Sequence, residues 1–228
     1  KYISKMKKYI LIFLISIISV NLLSSQNLKD ILFNKSYGLD FVGLDFSSAK
    51  FIGPADEYAE TSRLKNEFIP SWNNLFYAQP EKFDLGKFMH KENVNINAEY
   101  IQEINSNINA EEMYSFKPYK RFSPDQLQEI VNKYDFEYEN EVGLALIVNS
   151  FDKPSKMAVI NVVWFNTKTL KVIKSIRRNT EPKGFGFRNY WAGSIFYTIK
   201  DLEDELLTIA KKELEKKEYR SWAKWKKK

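Results

Sequence analysis

The feature that most limits the possible folds is a set of three apolar segments with very short connections. VGLALIVNSF (142–151), MAVINVVWFN (157–166) and LKVIKSIRR (170–178) are separated only by the polar turns DKPSK and TKT. Such short connections join neighbouring antiparallel strands. Lysines in the third segment are typical of an edge strand, where charge discourages pairing with another molecule. We therefore predict a C-terminal three-strand meander.

The stretch after the meander predicts a long helix. Its large apolar residues recur in steps of four and three, which places them on one helical face. They are Trp191, Ile195, Ile199, Leu202, Leu206 and Ile209. The sequence KKELEKKE follows them, and lysines near a helix end suit the helix dipole.

Segments upstream of the meander predict one buried strand and several helices. The run at 39–53 opens with apolar residues on both faces, as in an interior strand. Residues 63–77 have helical spacing with a kink at Pro70, and 94–96 predicts a short strand followed by a helix. Residues 122–134 predict a helix with a serine N-cap and a proline at its first position. We predict an α/β fold whose mixed or antiparallel sheet is covered by helices in two or three layers.

The first 25 residues have the pattern of an export signal. KYISKMKK is basic, YILIFLISIISVNLL is apolar and SSQ supplies small residues, which is the tripartite design of a secretory signal peptide. The alternative is a retained membrane anchor, but the apolar run is shorter than the roughly 20 residues that a spanning helix needs. We expect a signal peptide at 1–25, a single α/β domain at 26–218 and a basic aromatic tail at 219–228, with the domain in the periplasm or outside the cell.

The residue types needed for several chemistries are scarce. The chain has no cysteine, which excludes disulfides, thiolate metal sites, cysteine nucleophiles and a lipoprotein anchor. Its one histidine, His90, lies in a polar stretch that predicts a surface loop, with no nucleophile-elbow motif to accompany it. We expect no metal and no cofactor. Whether the protein is an enzyme stays open, and the scarcity of catalytic groups favours a non-enzyme.

The net charge of +6 is concentrated near the two ends of the sequence. Residues 1–25 carry four lysines and no acid, residues 211–228 carry nine basic residues against three glutamates, and residues 26–210 are left at −4. This distribution argues against a nucleic-acid-binding face. In the tail, Trp222 and Trp225 alternate with the terminal lysines, which predicts either weak contact with a membrane surface or a solvated helix end.

The segment GFGFRNYWAG (184–193) is the strongest candidate for a site. It has neither the third glycine of a dinucleotide fingerprint nor a Walker lysine. One interpretation is a helix start that binds an anion or small metabolite through Gly184, Gly186, Arg188 and Asn189, with Asn189 as the N-cap. The other interpretation, which we favour, is that the glycines relax the backbone while four aromatic side chains pack inward. These are Phe185, Phe187, Tyr190 and Trp191.

Asp45 is the second candidate, because it lies inside the first predicted strand. A buried carboxylate must be paired or hydrogen-bonded, and such groups sometimes perform acid–base chemistry. The favoured alternative is that Asp45 ends the strand and caps a turn with Ser47 and Ser48. A hydrolase would need Asp45 and Arg188 to open into one cleft.

Three segments resemble a group of uncharacterised bacterial exported proteins: FVGLDFSSAKFIG, VVWFNTKTLKVIKS and GFGFRNYWAGSI. The strand–turn–strand–helix ending is also similar in layout to curli-secretion-like and TolB N-terminal-like α/β domains of the cell envelope. The resemblance implies export and an α/β fold, and implies no catalytic residue. We therefore expect a binding module with an envelope protein as partner. The alternative is a small-anion or metabolite binder or hydrolase that uses the 184–193 junction.

Overall fold

Seven strands form one sheet in the part of the chain that the structure describes. The computed structural model describes residues 28–54, 58, 61–117 and 120–224, so the predicted signal peptide lies outside it. The strands are β1 (Leu39–Asp45), β2 (Lys50–Ile52), β3 (Val94–Ile96), β4 (Tyr114–Ser115), β5 (Val142–Asp152), β6 (Met157–Asn166) and β7 (Val172–Thr180).

The four strands that come first in the sequence, β1 to β4, pair in parallel with their neighbours. β5 pairs in parallel with β1 and β2, which in turn pair in parallel with β3 and β4. β5, β6 and β7 are joined by antiparallel pairings, in the order of the predicted meander. The prediction of a mixed or antiparallel sheet is therefore corrected: β1 to β5 are joined by parallel pairings. The helical segments between these strands return the chain to the same end of the sheet, which makes the next strand parallel.

β1 and β2 share one edge of β5. β5 has 11 residues and pairs with β1 through 143–147 and with β2 through 150–152. Between the two strands a tight turn closes with the Ala49 N–H donating to the Phe46 carbonyl at 3.0 Å. All seven residues of β1 are buried, as the apolar residues on both of its faces predict.

The helices agree well with the sequence patterns. Residues 28–33 are helical, and the predicted helix at 63–77 continues through Pro70 and turns at Asn74, with a π-helical segment, Leu64–Phe68, just before Ile69. A 3₁₀ segment spans Ala110–Met113. The α-helices are α1 (Thr61–Arg63), α2 (Ile69–Asn73), α3 (Leu75–Ala78), α4 (Leu85–Met89), α5 (Tyr100–Ser106), α6 (Pro124–Val131), α7 (Phe187–Glu213) and α8 (Lys216–Ala223).

Local signals explain where α6 and α7 begin. The Ser123 side chain accepts from the Gln126 N–H while the Gln126 side chain accepts from the Ser123 N–H, which is a complete capping box before Pro124. α7 has 27 residues, and Gly186 is its N-cap. The predicted long helix is confirmed.

The sheet is covered on both faces, which gives three layers. The larger hydrophobic cluster contains Trp72, Phe151 and Trp191 and joins α7 and α2 to one face. The smaller cluster contains Ile101, Val131 and Tyr134 and joins α5 and α6 to the other. Phe151 and Trp191 stack with ring centroids 4.4 Å apart, so α7 lies directly against β5.

The basic tail does not begin where the sequence suggested. α8 runs through the predicted boundary between residues 218 and 219, and Trp222 on it is only 3% exposed. Its ring contacts Phe33 at 5.2 Å and His90 at 4.3 Å. Trp222 is therefore part of the core and is not available for membrane contact, while Trp225 and the last lysines lie outside the described residues.

Four strands end together at one end of the sheet. Ile52 pairs with Ser115 and with Asp152, which places the last residues of β2, β4 and β5 side by side. The end of β7 joins them, since Thr180 pairs with Ala158, the partner of Phe151. α6 and α7 both begin after these ends.

Candidate functional site

The glycine junction is a turn with tight backbone contacts. Gly184 and Gly186 have φ values of 149° and 78°, which favour glycine. A Cβ on Gly184 would lie 2.4 Å from the Asn189 carbonyl oxygen, and one on Gly193 would lie 1.9 Å from that of Lys183. The segment from β7 therefore crosses the first turns of α7 at backbone contact distance. This close approach explains Gly184 and Gly193 without a ligand.

Three of the four junction aromatics pack as expected, and Phe185 does not. Trp191 is fully buried, and Phe187 and Tyr190 are half-buried against the same cluster. Phe185 is 96% exposed. The two flanking glycines hold their backbone at positive φ, and the Phe185 ring is turned to solvent. The prediction that Phe185 packs inward is therefore wrong.

Arg188 and Asn189 serve the junction itself. The Arg188 guanidinium donates to the Ser71 hydroxyl, and also to Asn189 Oδ1 at 3.3 Å and the Ser71 carbonyl at 3.5 Å. The Arg188 carbonyl accepts from Trp72 Nε1 at 2.9 Å. Asn189 lies in the first turn of α7 and is not its N-cap, because Gly186 occupies that position. Arg188 thus connects α7 to α2, and the Asn189 side chain accepts from its guanidinium.

Asp45 is buried and fully engaged. One carboxylate oxygen accepts from the Ser47 N–H at 2.7 Å, and the other accepts from the Tyr134 hydroxyl at 2.7 Å. Burial, followed by the Asp45 charge, raises the pKa of Tyr134 well above its ordinary value, so the phenol stays a donor. The turn-capping role with Ser47 that the sequence favoured is present in this geometry, with the bond to Tyr134 added to it.

Asp45 and Arg188 lie on opposite faces of the sheet. Asp45 bonds to Tyr134, which belongs to the smaller cluster under α5 and α6. Arg188 bonds to Ser71 beside Trp72, which belongs to the larger cluster under α7. A cleft shared by the two residues, which a hydrolase at this junction would require, is therefore absent from the described part of the chain.

His90 is buried, not on a surface loop. It ends α4 in the left-handed conformation, and its Nε2 lies 2.9 Å from Glu203 Oε1 on α7. Its Nδ1 and Trp222 Nε1 are buried with no hydrogen-bond partner in the structure. The sequence could not predict the contacts among His90, Glu203 and Trp222. These side chains come from α4, α7 and α8 and meet only when α7 crosses the molecule.

Lys91, next to His90, is also buried. It is 4% exposed, and its amine donates to the Asn34 carbonyl. Burial lowers the pKa of Lys91 to about 7, and the Asp30 charge offsets part of this effect. It lines a cleft of about 690 Å³, and Glu92 lines both this cleft and a second one of about 720 Å³. Both clefts lie away from Asp45 and from the glycine junction.

The end of the sheet where β2, β4, β5 and β7 finish carries two exposed aromatic side chains. Phe185 is 96% exposed and Phe116 is 80% exposed. Phe116 follows β4 in a turn in which the Ser115 hydroxyl accepts from the Lys117 N–H at 3.2 Å. We call residues 116–117, 120–121, 153–156 and 181–188 the carboxyl-end surface.

Tyr58 lies between the part of the carboxyl-end surface that follows β4 and the part that follows β7. Its ring contacts Tyr114 at 5.8 Å and Phe187 at 6.0 Å, and each exposed phenylalanine is two residues from one of these rings. The Tyr58 hydroxyl lies 2.7 Å from the Ile52 carbonyl and 2.8 Å from the Phe151 carbonyl. The turns that carry Phe116 and Phe185 are therefore joined through the contacts of Tyr58 with Tyr114 and Phe187.

The carboxyl-end surface is strongly basic. Glu181 is the one acidic residue in its ranges, and Arg177 on β7 lies close by, where burial and then the charge of Arg121 lower its pKa. The basic residues in these ranges are Lys117, Lys120, Arg121, Lys153, Lys156, Lys183 and Arg188. Positive charge at this end is notable, because residues 26–210 as a whole are net acidic at −4.

The described residues give no sign of a metal site or a membrane span. They contain no group of three or more His, Asp or Glu side chains that could hold a metal ion. Among them, no helix combines the length and apolar character that crossing a bilayer requires. The fold and this site together define an α/β domain with one aromatic, basic end.

Comparisons with known proteins give little guidance. No family model and no curated protein matches the chain. Among solved structures, it is similar to protein XCC0632 from Xanthomonas campestris, of the family model DUF330, with 8% identity and a TM-score of 0.28 over 78% of this chain and 85% of that one. A likeness this weak carries no argument about function.

Proposed function

We propose that the protein is an exported binding module of the cell envelope and that it uses the carboxyl-end surface to bind an anionic partner. It acts by binding and not by catalysis. Export is the expectation from the basic, apolar and small-residue pattern of the first 25 residues.

The exposure of Phe116 and Phe185 is the observation that carries the proposal. Tyr77, the other exposed large hydrophobic side chain of the described residues, is 42% exposed, and its hydroxyl lies 3.0 Å from the Ile96 carbonyl. The two phenylalanines have no such internal role and still project from turns at the same end. These two exposed apolar side chains at one basic end of the sheet are the features that an interaction site there would use.

Charge favours an anionic partner. The exposed basic residues of the carboxyl-end surface outnumber Glu181 and the adjacent Asp152, so an acidic ligand gains from several charges at once. These basic residues are Lys117, Lys120, Arg121, Lys156 and Lys183. The small-anion alternative at the glycine junction is less well supported, because the Arg188 guanidinium already donates to Ser71 and Asn189.

Retention by an envelope fraction tests the proposal. We compare the chain from residue 26 onward with the variant Phe116→Ser/Phe185→Ser and measure the share that sediments with a bacterial envelope fraction. We expect the double variant to lose at least tenfold in affinity, since each phenylalanine contributes roughly 2 kcal/mol when buried.

The matched control is Lys168→Ser/Lys171→Ser, at the other end of the sheet. Both residues are exposed and lie at the β6–β7 turn, opposite the carboxyl-end surface. The control should be retained like the wild type. Equal retention of the wild type and the phenylalanine variant would refute the proposal.

A further inference from the structure

We propose that the anionic partner of the carboxyl-end surface is the surface of an anionic lipid bilayer, into which Phe116 and Phe185 insert. This inference rests on the proposed function and names the partner class. It replaces the membrane contact that the sequence suggested for Trp222, which is buried.

The way in which Phe116 and Phe185 are exposed favours a bilayer as the partner. Phe185 stands between two glycines and Phe116 between Ser115 and Lys117, so each ring projects alone from a turn. A protein interface usually presents a contiguous packed patch around its central aromatic residues. Separate aromatic rings surrounded by charge match the interfacial region of a bilayer, where the ring enters and its flanks stay wet.

The basic residues are placed to accompany that insertion. Lys117 is adjacent to Phe116, and Lys183 lies two residues before Phe185. Lys117, Lys120, Arg121, Lys156 and Lys183 are exposed. Basic side chains near an anionic leaflet each add to the attraction, and their effect is lost within a Debye length.

Packed aromatic side chains lie between the two turns that carry the exposed rings. Tyr58 packs against Tyr114 and Phe187, and the Lys153 N–H donates to its hydroxyl at 3.1 Å. Tyr114 and Phe187, each two residues from an exposed phenylalanine, are thus joined through Tyr58.

Vesicle flotation tests the inference. The chain from residue 26 onward is mixed at low salt with vesicles of phosphatidylglycerol and phosphatidylethanolamine, or with vesicles of phosphatidylcholine alone. We expect binding to the anionic vesicles to be at least tenfold tighter. Phe116→Ser/Phe185→Ser and Lys117→Ser/Lys183→Ser should each lose at least tenfold on the anionic vesicles, and Lys168→Ser/Lys171→Ser should not.

Two results would overturn the inference. The first is no binding of the wild type to anionic vesicles, and the second is equal binding of the wild type and the phenylalanine variant. If the envelope fraction still retains the wild type through its phenylalanines, the proposed function stands, and the partner is an acidic protein instead of lipid. If the phenylalanines matter in neither assay, both proposals fail. Circular dichroism and thermal unfolding of each variant show whether a loss comes from misfolding.

Discussion

The burial of the Lys91 amine should make the free energy of unfolding depend on pH. Its pKa falls from 10.5 to about 7, mainly because of burial. A lysine with a lower pKa in the folded state binds fewer protons there, so the free energy of unfolding rises with pH. Below about pH 7 the buried amine is protonated, and its burial lowers the free energy of unfolding by the full amount. This loss becomes smaller as the pH rises from about 7 towards 10.5.

Lys91→Met should remove this pH dependence while keeping most of the side-chain length. Between about pH 7 and 10.5, the free energy of unfolding of the wild type should rise relative to the variant. The largest slope is about 1.4 kcal/mol per pH unit. Urea denaturation at several pH values measures this difference. A difference that stays constant across the range would contradict the burial of this amine.

Asp45→Asn tests the structural role of the buried carboxylate. The asparagine keeps one acceptor oxygen, for the Ser47 N–H, and its NH2 group can bond to Tyr134 only if the hydroxyl turns to accept, so one charge-assisted hydrogen bond becomes neutral and the other is lost or reversed. We expect a loss of about 1–3 kcal/mol in the free energy of unfolding. Retention by the envelope fraction should not change below the unfolding temperature. Lost retention by a folded variant would instead give Asp45 a functional role.

At the scale of elements, the start of α7 depends on backbone contact. Gly193→Ala places a Cβ against the Lys183 carbonyl, whereas a Cβ on Gly186 meets open space. We expect Gly193→Ala to cost about 2 kcal/mol or more through overpacking. Gly186→Ala should cost about 1–3 kcal/mol through backbone strain, because φ 78° with ψ 154° is a conformation that other residues rarely adopt. Chemical denaturation gives both values, and a cost below about 1 kcal/mol for Gly193→Ala would contradict the contact with residue 183.

The elements that the sequence predicted are those with strong local signals. The apolar spacing of α7, the capping box at Ser123 and the short turns of the meander are all readable within a few residues. β2 and β4 have three and two residues and take their conformation from their neighbours, so no local pattern marks them. Parallel pairing likewise depends on how distant segments return to β5.

The site was predictable only in part, for the same reason. The 184–193 segment is identifiable as a strand–helix junction from its sequence, and the positive φ of Gly184 and Gly186 agrees with the predicted relaxation of the backbone. The exposure of Phe185 was missed, because a phenylalanine between half-buried aromatics has the composition of a core segment. His90 was missed because Glu203 and Trp222 are more than 100 residues away along the chain.

At the scale of the whole molecule, the proposal assigns different roles to the two ends of the sheet. The carboxyl-end surface is aromatic and basic, and the opposite end holds the clefts beside Glu92 and the packed helix α8. α7 spans the distance between them. Binding through the carboxyl-end surface would leave the opposite end facing away from the envelope partner.

Photo-cross-linking from single positions is the most direct test of this orientation. Benzoylphenylalanine replaces Phe185 in one variant and Lys168 in another, and each is irradiated with the envelope fraction. The account predicts cross-links to an envelope component, lipid or protein, from position 185 and almost none from position 168. Cross-links of equal yield from both positions, or from position 168 alone, would contradict it.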